Sequence, residues 1–127
     1  MSGSLEVGME TTDDFEVDGR LLTDVGGTLG IEVLSTPGMI AMMERTASMM
    51  VYPHLPEGKA TVGFEVNVRH VGAARKGERC QVHSRLEEIV DGRKLRFKVE
   101  VTTAEDGRTI GVGRHERRVI DAKNTSE

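Results

Sequence analysis

The second half of the chain alternates between hydrophobic and polar residues, as in strands with one buried and one exposed face. From Leu95 to Val101 every odd position is hydrophobic and every even position is charged, which is the period of two of a β-strand. Three further runs are predicted as strands: 60–71, 80–90 and 109–120. The dipeptides between these runs favour turns: Lys76-Gly77, Asp91-Gly92 and Asp106-Gly107. The pattern therefore predicts four antiparallel strands that follow one another as a meander.

One helix is predicted ahead of these strands. Ser35 and Thr36 are favoured N-cap residues, and Pro37 suits the first helical position. Hydrophobic residues continue to about Tyr52, and Pro53 ends the helix. They fall on nearly every side of the helix, and only two of its residues carry a charge, which predicts a helix that is buried all round.

A buried helix followed by an antiparallel sheet indicates an α+β fold, in which the sheet wraps around one central helix and which resembles the hotdog fold. A single domain is predicted for residues 1–122, with 123–127 as a flexible C-terminal tail. Strands are also expected at 5–7 and 15–17, and a flexible glycine-rich connection at 26–30. Because a single sheet has open edges, the chain is expected to form a homodimer that extends the sheet.

Composition narrows the functional classes. At 127 residues and a net charge of −4, with no Trp and one Tyr, the chain lacks the basic and aromatic surface that binds nucleic acids. No hydrophobic run approaches the roughly 20 residues that cross a membrane, and the acidic N-terminal segment is unlike a targeting peptide. Cys80, the single cysteine, shares the parity of core residues and is predicted to be inert. The histidines show no metal-ligand spacing, so we expect a cytoplasmic protein with no metal, nucleic acid or membrane partner.

Basic and ionisable side chains gather near the end of the last predicted strand: Arg114, His115, Arg117 and Arg118. They suit contacts with a phosphate of an anionic ligand. They equally suit a strand end that is exposed to solvent, and the sequence leaves both interpretations open.

Glu44 is the charged residue that the helix pattern does not explain. On a helical wheel of about 100° per residue it lies among small and hydrophobic residues such as Ala41 and Ala47. Burial of an unpaired carboxylate is costly, so this group must be protonated, paired or next to a cavity. A structural ion pair with Arg69 or Arg117 and a functional carboxylate that faces a cavity both remain open.

His70 is a second polar residue in a hydrophobic pattern. It ends a row of alternate residues that is predicted to face the core: Val62, Phe64, Val66 and Val68. A histidine at this place is either a satisfied core residue or, if Glu44 lies nearby, one half of an acid/base pair. Thr36 directs its hydroxyl to the positive end of the helix, where N-capping alone is a sufficient explanation.

Three segments, EVLSTPGMIAMME at 32–44, VNVRH at 66–70 and GRHER at 113–117, together resemble the fluoroacetyl-CoA thioesterase family of hotdog proteins. The resemblance extends over about residues 30–120. It implies a site made of Thr36, Glu44 and His70. It also implies that Gly63 and Arg117 lie beside the acyl thioester, and that the protein is a dimer with metal-free sites at the subunit interface.

These residue types suit the hydrolysis of an acyl-CoA to the acid and CoA. Glu44 would act as the base or the nucleophile, and His70 as the general acid/base that helps to expel the thiolate. Thr36 would orient Glu44 or the acyl oxygen. Backbone N–H groups near the helix start or at Gly63 would bind the oxyanion. No cofactor is expected beyond the CoA of the substrate.

The acyl group is expected to differ from fluoroacetyl. Family members that are selective for the fluorinated group carry aromatic residues just ahead of the threonine. Here the corresponding segment is GGTLG at 26–30, and no aromatic residue occurs between Phe15 and Tyr52. A glycine-rich segment leaves more open volume, which favours another short or medium acyl chain.

Two other functions are compatible with parts of the pattern. A non-catalytic hotdog module that binds acyl-CoA would keep the pocket without needing both Glu44 and His70. A hydratase would need an acid and a histidine above an enoyl group. Glu65 does not supply that acid, because its parity is opposite to that of His70.

Overall fold

One long helix packs against a five-stranded antiparallel sheet in the computed structural model, which describes residues 4–122. The elements are, in chain order, β1 (Glu10–Glu16), β2 (Leu22–Thr23), β3 (Val33–Leu34), α1 (Thr36–Val51), β4 (Lys59–His70), β5 (Arg79–Val90), β6 (Lys94–Thr103) and β7 (Thr109–Asp121). This confirms the predicted α+β class. The tail predicted at 123–127 lies outside the described residues. None of the helices within 4–122 is long and hydrophobic enough to cross a membrane.

The order of strands in the large sheet is β1-β5-β6-β7-β4, so the predicted four-stranded meander is wrong. Only β5, β6 and β7 follow one another as neighbours, and β4 pairs with β7 at the far edge of the sheet. Lys76 and Gly77 therefore belong to a connection that crosses between separated strands, and not to a hairpin. The alternation of hydrophobic and polar residues indicates which face of a strand is buried. It does not indicate which strand lies beside it, because strand order depends on packing in three dimensions.

The two hairpin turns of the meander are confirmed. Asp91 and Gly92, between β5 and β6, both adopt left-handed backbone conformations with φ of 56° and 64°, as Asp-Gly turns favour. Gly107 lies in the turn between β6 and β7. The strand expected at 15–17 is confirmed in part, because Phe15 and Glu16 lie at the end of β1, whereas residues 5–7 are not a strand. The short strands β2 and β3 pair with each other.

Helix α1 is buried on one side only. Ser35 is its N-cap, and the Ser35 hydroxyl accepts a hydrogen bond from the Gly38 N–H at 2.9 Å. The buried side faces the sheet and consists of Gly38, Met39, Met43, Thr46, Ala47 and Val51. The opposite side exposes Ala41, Arg45 and Met49. The prediction of burial all round is therefore wrong for the single chain, because the sheet covers only one face of the helix.

A β-bulge interrupts β4. Gly63 pairs with Arg117 and Glu65 pairs with Glu116, so that Phe64 has no partner on β7. The extra residue shifts the alternation by one position. Val62 and Phe64 are consequently exposed to 44% and 58%, and the prediction that they face the core is wrong. The Phe64 ring is instead covered by the guanidinium of Arg118, whose Cζ lies 3.6 Å from the ring centroid.

Strands β4 and β7 approach each other closely at Gly113. A Cβ atom at this position would lie 2.6 Å from Val68 Cα and closer still to the carbonyl oxygen of Asn67. The φ of Gly113 is 159°. Gly111 and Gly113 share one face of this strand, a pattern that is typical of a bulge or a close backbone approach.

We expect Gly113→Ala to lower the free energy of unfolding by about 1–3 kcal/mol, because the two backbones must separate to admit the methyl group. Gly30→Ala is the matched control, since a Cβ atom at Gly30 meets nothing within 4 Å. The control should stay within about 1 kcal/mol of the wild type. Urea unfolding curves measure both values, and equal stabilities of the two variants would contradict the close approach.

Candidate functional site

The bulge in β4 turns Gly63 and His70 to the same side of the sheet, towards α1. At the N-terminal end of the helix, Thr36 Oγ1 and His70 Nδ1 form a hydrogen bond of 2.9 Å. Because Ser35 is the N-cap, the Thr36 hydroxyl is not needed for capping, and the capping interpretation of Thr36 is wrong. The imidazole borders a groove of about 300 Å³ that runs along Val71, Gly72 and Ala73.

A second cluster lies further along α1, around Glu44. Its Oε2 is 3.6 Å from Nη1 of Arg117, and the two side chains are 40% and 9% exposed. A Cβ atom on Gly63 would lie 2.5 Å from Glu44 Oε2, so a larger residue here would displace the carboxylate from this position. Of the two arginines considered for a pair with Glu44, the structure selects Arg117.

The carboxylate of Glu44 also borders a groove of about 420 Å³. The groove is lined by Ala41, Glu44, Arg45, Ser48, Met49 and Arg117. Glu44 is thus paired with a cation and next to a void at the same time. The two alternatives derived from the sequence, an ion pair and a carboxylate at a cavity, coexist in one arrangement.

Arg117 is held mainly by groups other than Glu44. Its Nε donates to Thr61 Oγ1 at 2.8 Å, and its Nη2 donates to the Thr61 carbonyl at 3.1 Å. Nη1 lies 3.3 Å from Nε2 of His115. Burial lowers the pKa of Arg117 while the charge of Glu44 acts in the opposite direction, yet a guanidinium remains protonated in proteins. The result is a fixed buried cation beside a less constrained carboxylate.

His115 also belongs to this network, although the sequence had suggested for it only a phosphate contact or an exposed strand end. Only 3% of it is exposed, so the solvent-exposed interpretation is wrong for this residue. Its Nδ1 lies 2.8 Å from the carbonyl oxygen of Glu65. Because a carbonyl only accepts, Nδ1 carries the hydrogen, and Nε2 is free to accept from Arg117. In the sequence, His115 alternates with Gly113 and Arg117 along the strand, and this pattern could have predicted that the three residues lie on the same face.

The pKa of His115 is lowered from its ordinary value of 6.5. Burial is the main cause and the charge of Arg117 adds to it, whereas the Glu65 carbonyl and the charge of Glu44 act in the opposite direction. The imidazole ring also stacks on Phe97, with ring centroids 6.0 Å apart. At neutral pH the ring is therefore the neutral acceptor that Arg117 requires.

Within one chain, the predicted site residues form two separate groups. Thr36 contacts His70, whereas Glu44 contacts Gly63 and Arg117. Thr36 and Glu44 are eight residues apart on α1, which corresponds to about 12 Å along the helix axis. All five residues therefore lie where the sheet and the helix face each other. Within a single chain, however, they do not form one cluster.

The described residues offer neither a metal site nor a reactive thiol. Among residues 4–122, no group of three or more His, Cys, Asp or Glu side chains is arranged to hold a metal ion. Cys80 is buried, and burial raises the pKa of the Cys80 thiol to about 11. The thiol is consequently protonated at neutral pH, in agreement with the prediction that it is inert.

Comparisons with known proteins place the chain among thioesterases. The family model FlK, described as fluoroacetyl-CoA-specific thioesterase, matches residues 17–123. The chain is similar to the solved fluoroacetyl-CoA thioesterase FlK at 27% identity and a TM-score of 0.85, over 97% of this chain and 93% of that one. It is similar to an FlK variant in complex with fluoroacetate and CoA at 28% identity and a TM-score of 0.84, over 95% and 99%.

A further solved structure comes from Thermus thermophilus, a hypothetical protein described as a thioesterase superfamily member. It is 28% identical, with a TM-score of 0.83, over 95% of this chain and 88% of that one. No curated protein matches the chain. These likenesses confirm the predicted hotdog fold and the resemblance drawn from the sequence.

The lowered pKa of His115 predicts a pH-dependent stability. Below about pH 6.5 the unfolded chain binds a proton at this residue that the folded protein does not, so the free energy of unfolding should fall as the pH falls. The slope for one proton is at most about 1.4 kcal/mol per pH unit. Urea unfolding between pH 5 and 7.5 measures it.

In His115→Gln the free energy of unfolding should change less with pH between pH 5 and 7.5, because the substitution removes the titrating group. Arg118 and Arg96 lower the pKa of Glu116, so that carboxylate contributes only at lower pH. Equal slopes in wild type and His115→Gln would contradict the assignment.

Proposed function

The chain belongs to the FlK family of thioesterases, and on this premise we propose that it hydrolyses a short or medium acyl-CoA to the acid and CoA. The observation that carries the proposal is the carboxylate of Glu44, which borders a groove and contacts a glycine that leaves it space. Glu44 is the base or nucleophile of this reaction. It acts on water or on the thioester carbonyl, respectively.

The surrounding residues suit the remaining steps. When water attacks the thioester carbonyl, a proton passes to Glu44 and the carbon–sulfur bond breaks. His70 then supplies a proton to the departing thiolate, and Thr36 holds the imidazole through their hydrogen bond. Gly63 and Arg117 lie beside the acyl group, where the arginine faces the developing negative charge. No cofactor is required beyond the CoA of the substrate.

The active form is a homodimer built on β4. This strand is 12 residues long and lies at one edge of the sheet, without a partner on its outer side in the single chain. The other edge strand, β1, carries four acidic residues, Glu10, Asp13, Asp14 and Glu16, which repel a second copy of that edge. β4 is thus the edge that accepts a copy of itself, and the exposed side of α1 lies near the same interface.

Such a dimer completes the site with residues from both subunits. If β4 pairs antiparallel with its copy about a two-fold axis at Asn67, and the bulge residue Phe64 stays unpaired, Gly63 lies opposite His70 of the partner subunit. The Glu44 group of one subunit then meets the Thr36 and His70 group of the other. This explains why the two groups are separated by about 12 Å along the helix within one chain.

The acyl group is a chain other than fluoroacetyl. The connection between β2 and β3 exposes three aliphatic side chains, Val25, Leu29 and Ile31, and it contains no aromatic residue. An aliphatic surface next to the glycine-rich segment suits a longer acyl chain better than a small fluorinated group. We also propose that the enzyme is cytoplasmic, since a single cysteine is typical of proteins from reducing compartments.

Glu44→Gln should reduce kcat for thiol release at least about a hundredfold, because the amide cannot take up the proton or attack the carbonyl. Release of CoA from a panel of acyl-CoAs of increasing chain length measures the rate and the chain preference. Glu57→Gln removes an exposed carboxylate on the connection between α1 and β4 and should keep the wild-type rate. Binding of every acyl-CoA without release would instead favour the non-catalytic binding module.

The shared site predicts complementation between inactive subunits. A dimer that combines one Glu44→Gln subunit with one His70→Ala subunit contains one intact site if Glu44 acts with the His70 of the other chain. Random reassociation of an equal mixture should then restore about a quarter of the wild-type activity. If both residues act within one chain, the mixture stays inactive.

The mass of the protein in solution is measured at micromolar concentration alongside this experiment. The dimer requires twice the subunit mass, and a mass of one subunit would contradict the proposed interface. A dimer whose mixtures stay inactive would retain the interface and overturn the shared site.

A further inference from the structure

His115 contacts Arg117 in the cluster around Glu44, but no role in the reaction has been assigned to it above. We infer that His115 is a positioning residue: as a neutral imidazole with its hydrogen on Nδ1, it holds Nη1 of Arg117 and thereby keeps the Glu44 carboxylate from closing onto the guanidinium. The inference rests on the proposed thioesterase function, because it concerns the reactivity of the carboxylate assigned to that reaction.

Nη1 of Arg117 faces two acceptors. Nη1 lies 3.3 Å from His115 Nε2 and 3.6 Å from Glu44 Oε2. A guanidinium and a carboxylate that are free to approach each other close to about 2.7–2.9 Å. Here the guanidinium is anchored by Thr61 on one side and shared with His115 on the other. Glu44 therefore keeps the groove-facing freedom that a base or nucleophile needs.

The form of the imidazole is set by the backbone of β4. The carbonyl oxygen of Glu65 lies 2.8 Å from His115 Nδ1, next to the bulge that leaves Phe64 without a partner. This contact fixes the hydrogen on Nδ1 and directs the lone pair of Nε2 towards Arg117. A ring with its hydrogen on Nε2 would present a donor to a donor, and the contact with Arg117 would be lost.

The surroundings of His115 favour the neutral ring. The charged groups that face it are Arg117 from its own strand and Glu44 from α1. β6 contributes the Phe97 ring and β4 the Glu65 carbonyl. Protonation would place a second cation next to Arg117 in a site that is 3% exposed. The lowered pKa of His115 agrees with this geometry.

Two polar substitutions separate the donor function from the acceptor function. His115→Asn retains an N–H group near the position of Nδ1 and has no atom near Nε2, whereas His115→Gln places an acceptor oxygen near Nε2. We expect His115→Asn to lose about tenfold in kcat with KM within about threefold of the wild type, and His115→Gln to recover most of that loss. His83→Asn is the matched control and should keep the wild-type kcat and KM.

A double-mutant cycle tests whether His115 acts through Arg117. In the background of Arg117→Gln, His115→Asn should cause no further loss of kcat, since the group it positions is absent. ¹⁵N NMR of the wild type should show His115 with a protonated Nδ1 and an unprotonated Nε2 at neutral pH. This last measurement does not depend on turnover.

Four results would overturn the inference. They are a wild-type kcat in His115→Asn, an equal loss in His115→Gln, losses that multiply fully with Arg117→Gln, and a protonated Nε2 in the NMR spectrum. In each of these cases an active wild-type enzyme leaves the proposed function intact. A wild type that releases CoA from none of the acyl-CoAs removes the proposed function and the inference with it.

Discussion

The β-bulge at Gly63 and Glu65 is the constraint on which the candidate site depends. In a regular strand, Gly63 and His70 have opposite parity and would face opposite sides of the sheet. The unpaired Phe64 shifts the alternation by one residue, so both residues face α1. One strand consequently contacts the helix at two places, at Thr36 and at Glu44. The same irregularity brings the Glu65 carbonyl within reach of His115.

The buried guanidinium of Arg117 links this backbone feature to the chemistry. Removing a charge from water is costly unless it is paired and hydrogen-bonded. Here Thr61 and His115 supply the hydrogen bonds, and Glu44 supplies a nearby opposite charge at 3.6 Å. Because the arginine does not rely on the carboxylate for its hydrogen bonds, the carboxylate remains next to the groove. A closed ion pair of the same two residues would stabilise the fold and leave no reactive group.

The single chain has an exposed helix side and an unpaired edge strand in the same region. The exposed side of α1 includes Ala41, Arg45 and Met49, which a monomer would leave in contact with water. The edge strand β4 carries one acidic residue, whereas β1 carries four. In the dimer that we propose, one interface would cover these surfaces and also join the two groups of site residues. Assembly and catalysis would then share one structural cause.

The sequence by itself determined the local features of this protein. The alternation along β6, the Ser35 cap and the turn at Asp91-Gly92 depend on neighbouring residues, and each was confirmed. Glu44 and His70 could be singled out for the same reason, as polar residues that break a local pattern. The residues that contact them could not be derived from the sequence. A bulge changes which side chains of a strand face the core, and the sequence pattern does not show where a bulge occurs. Only the tertiary structure decided that β4 lies beside β7, that Arg117 pairs with Glu44 and that His115 is buried, since each depends on packing between residues far apart in the chain.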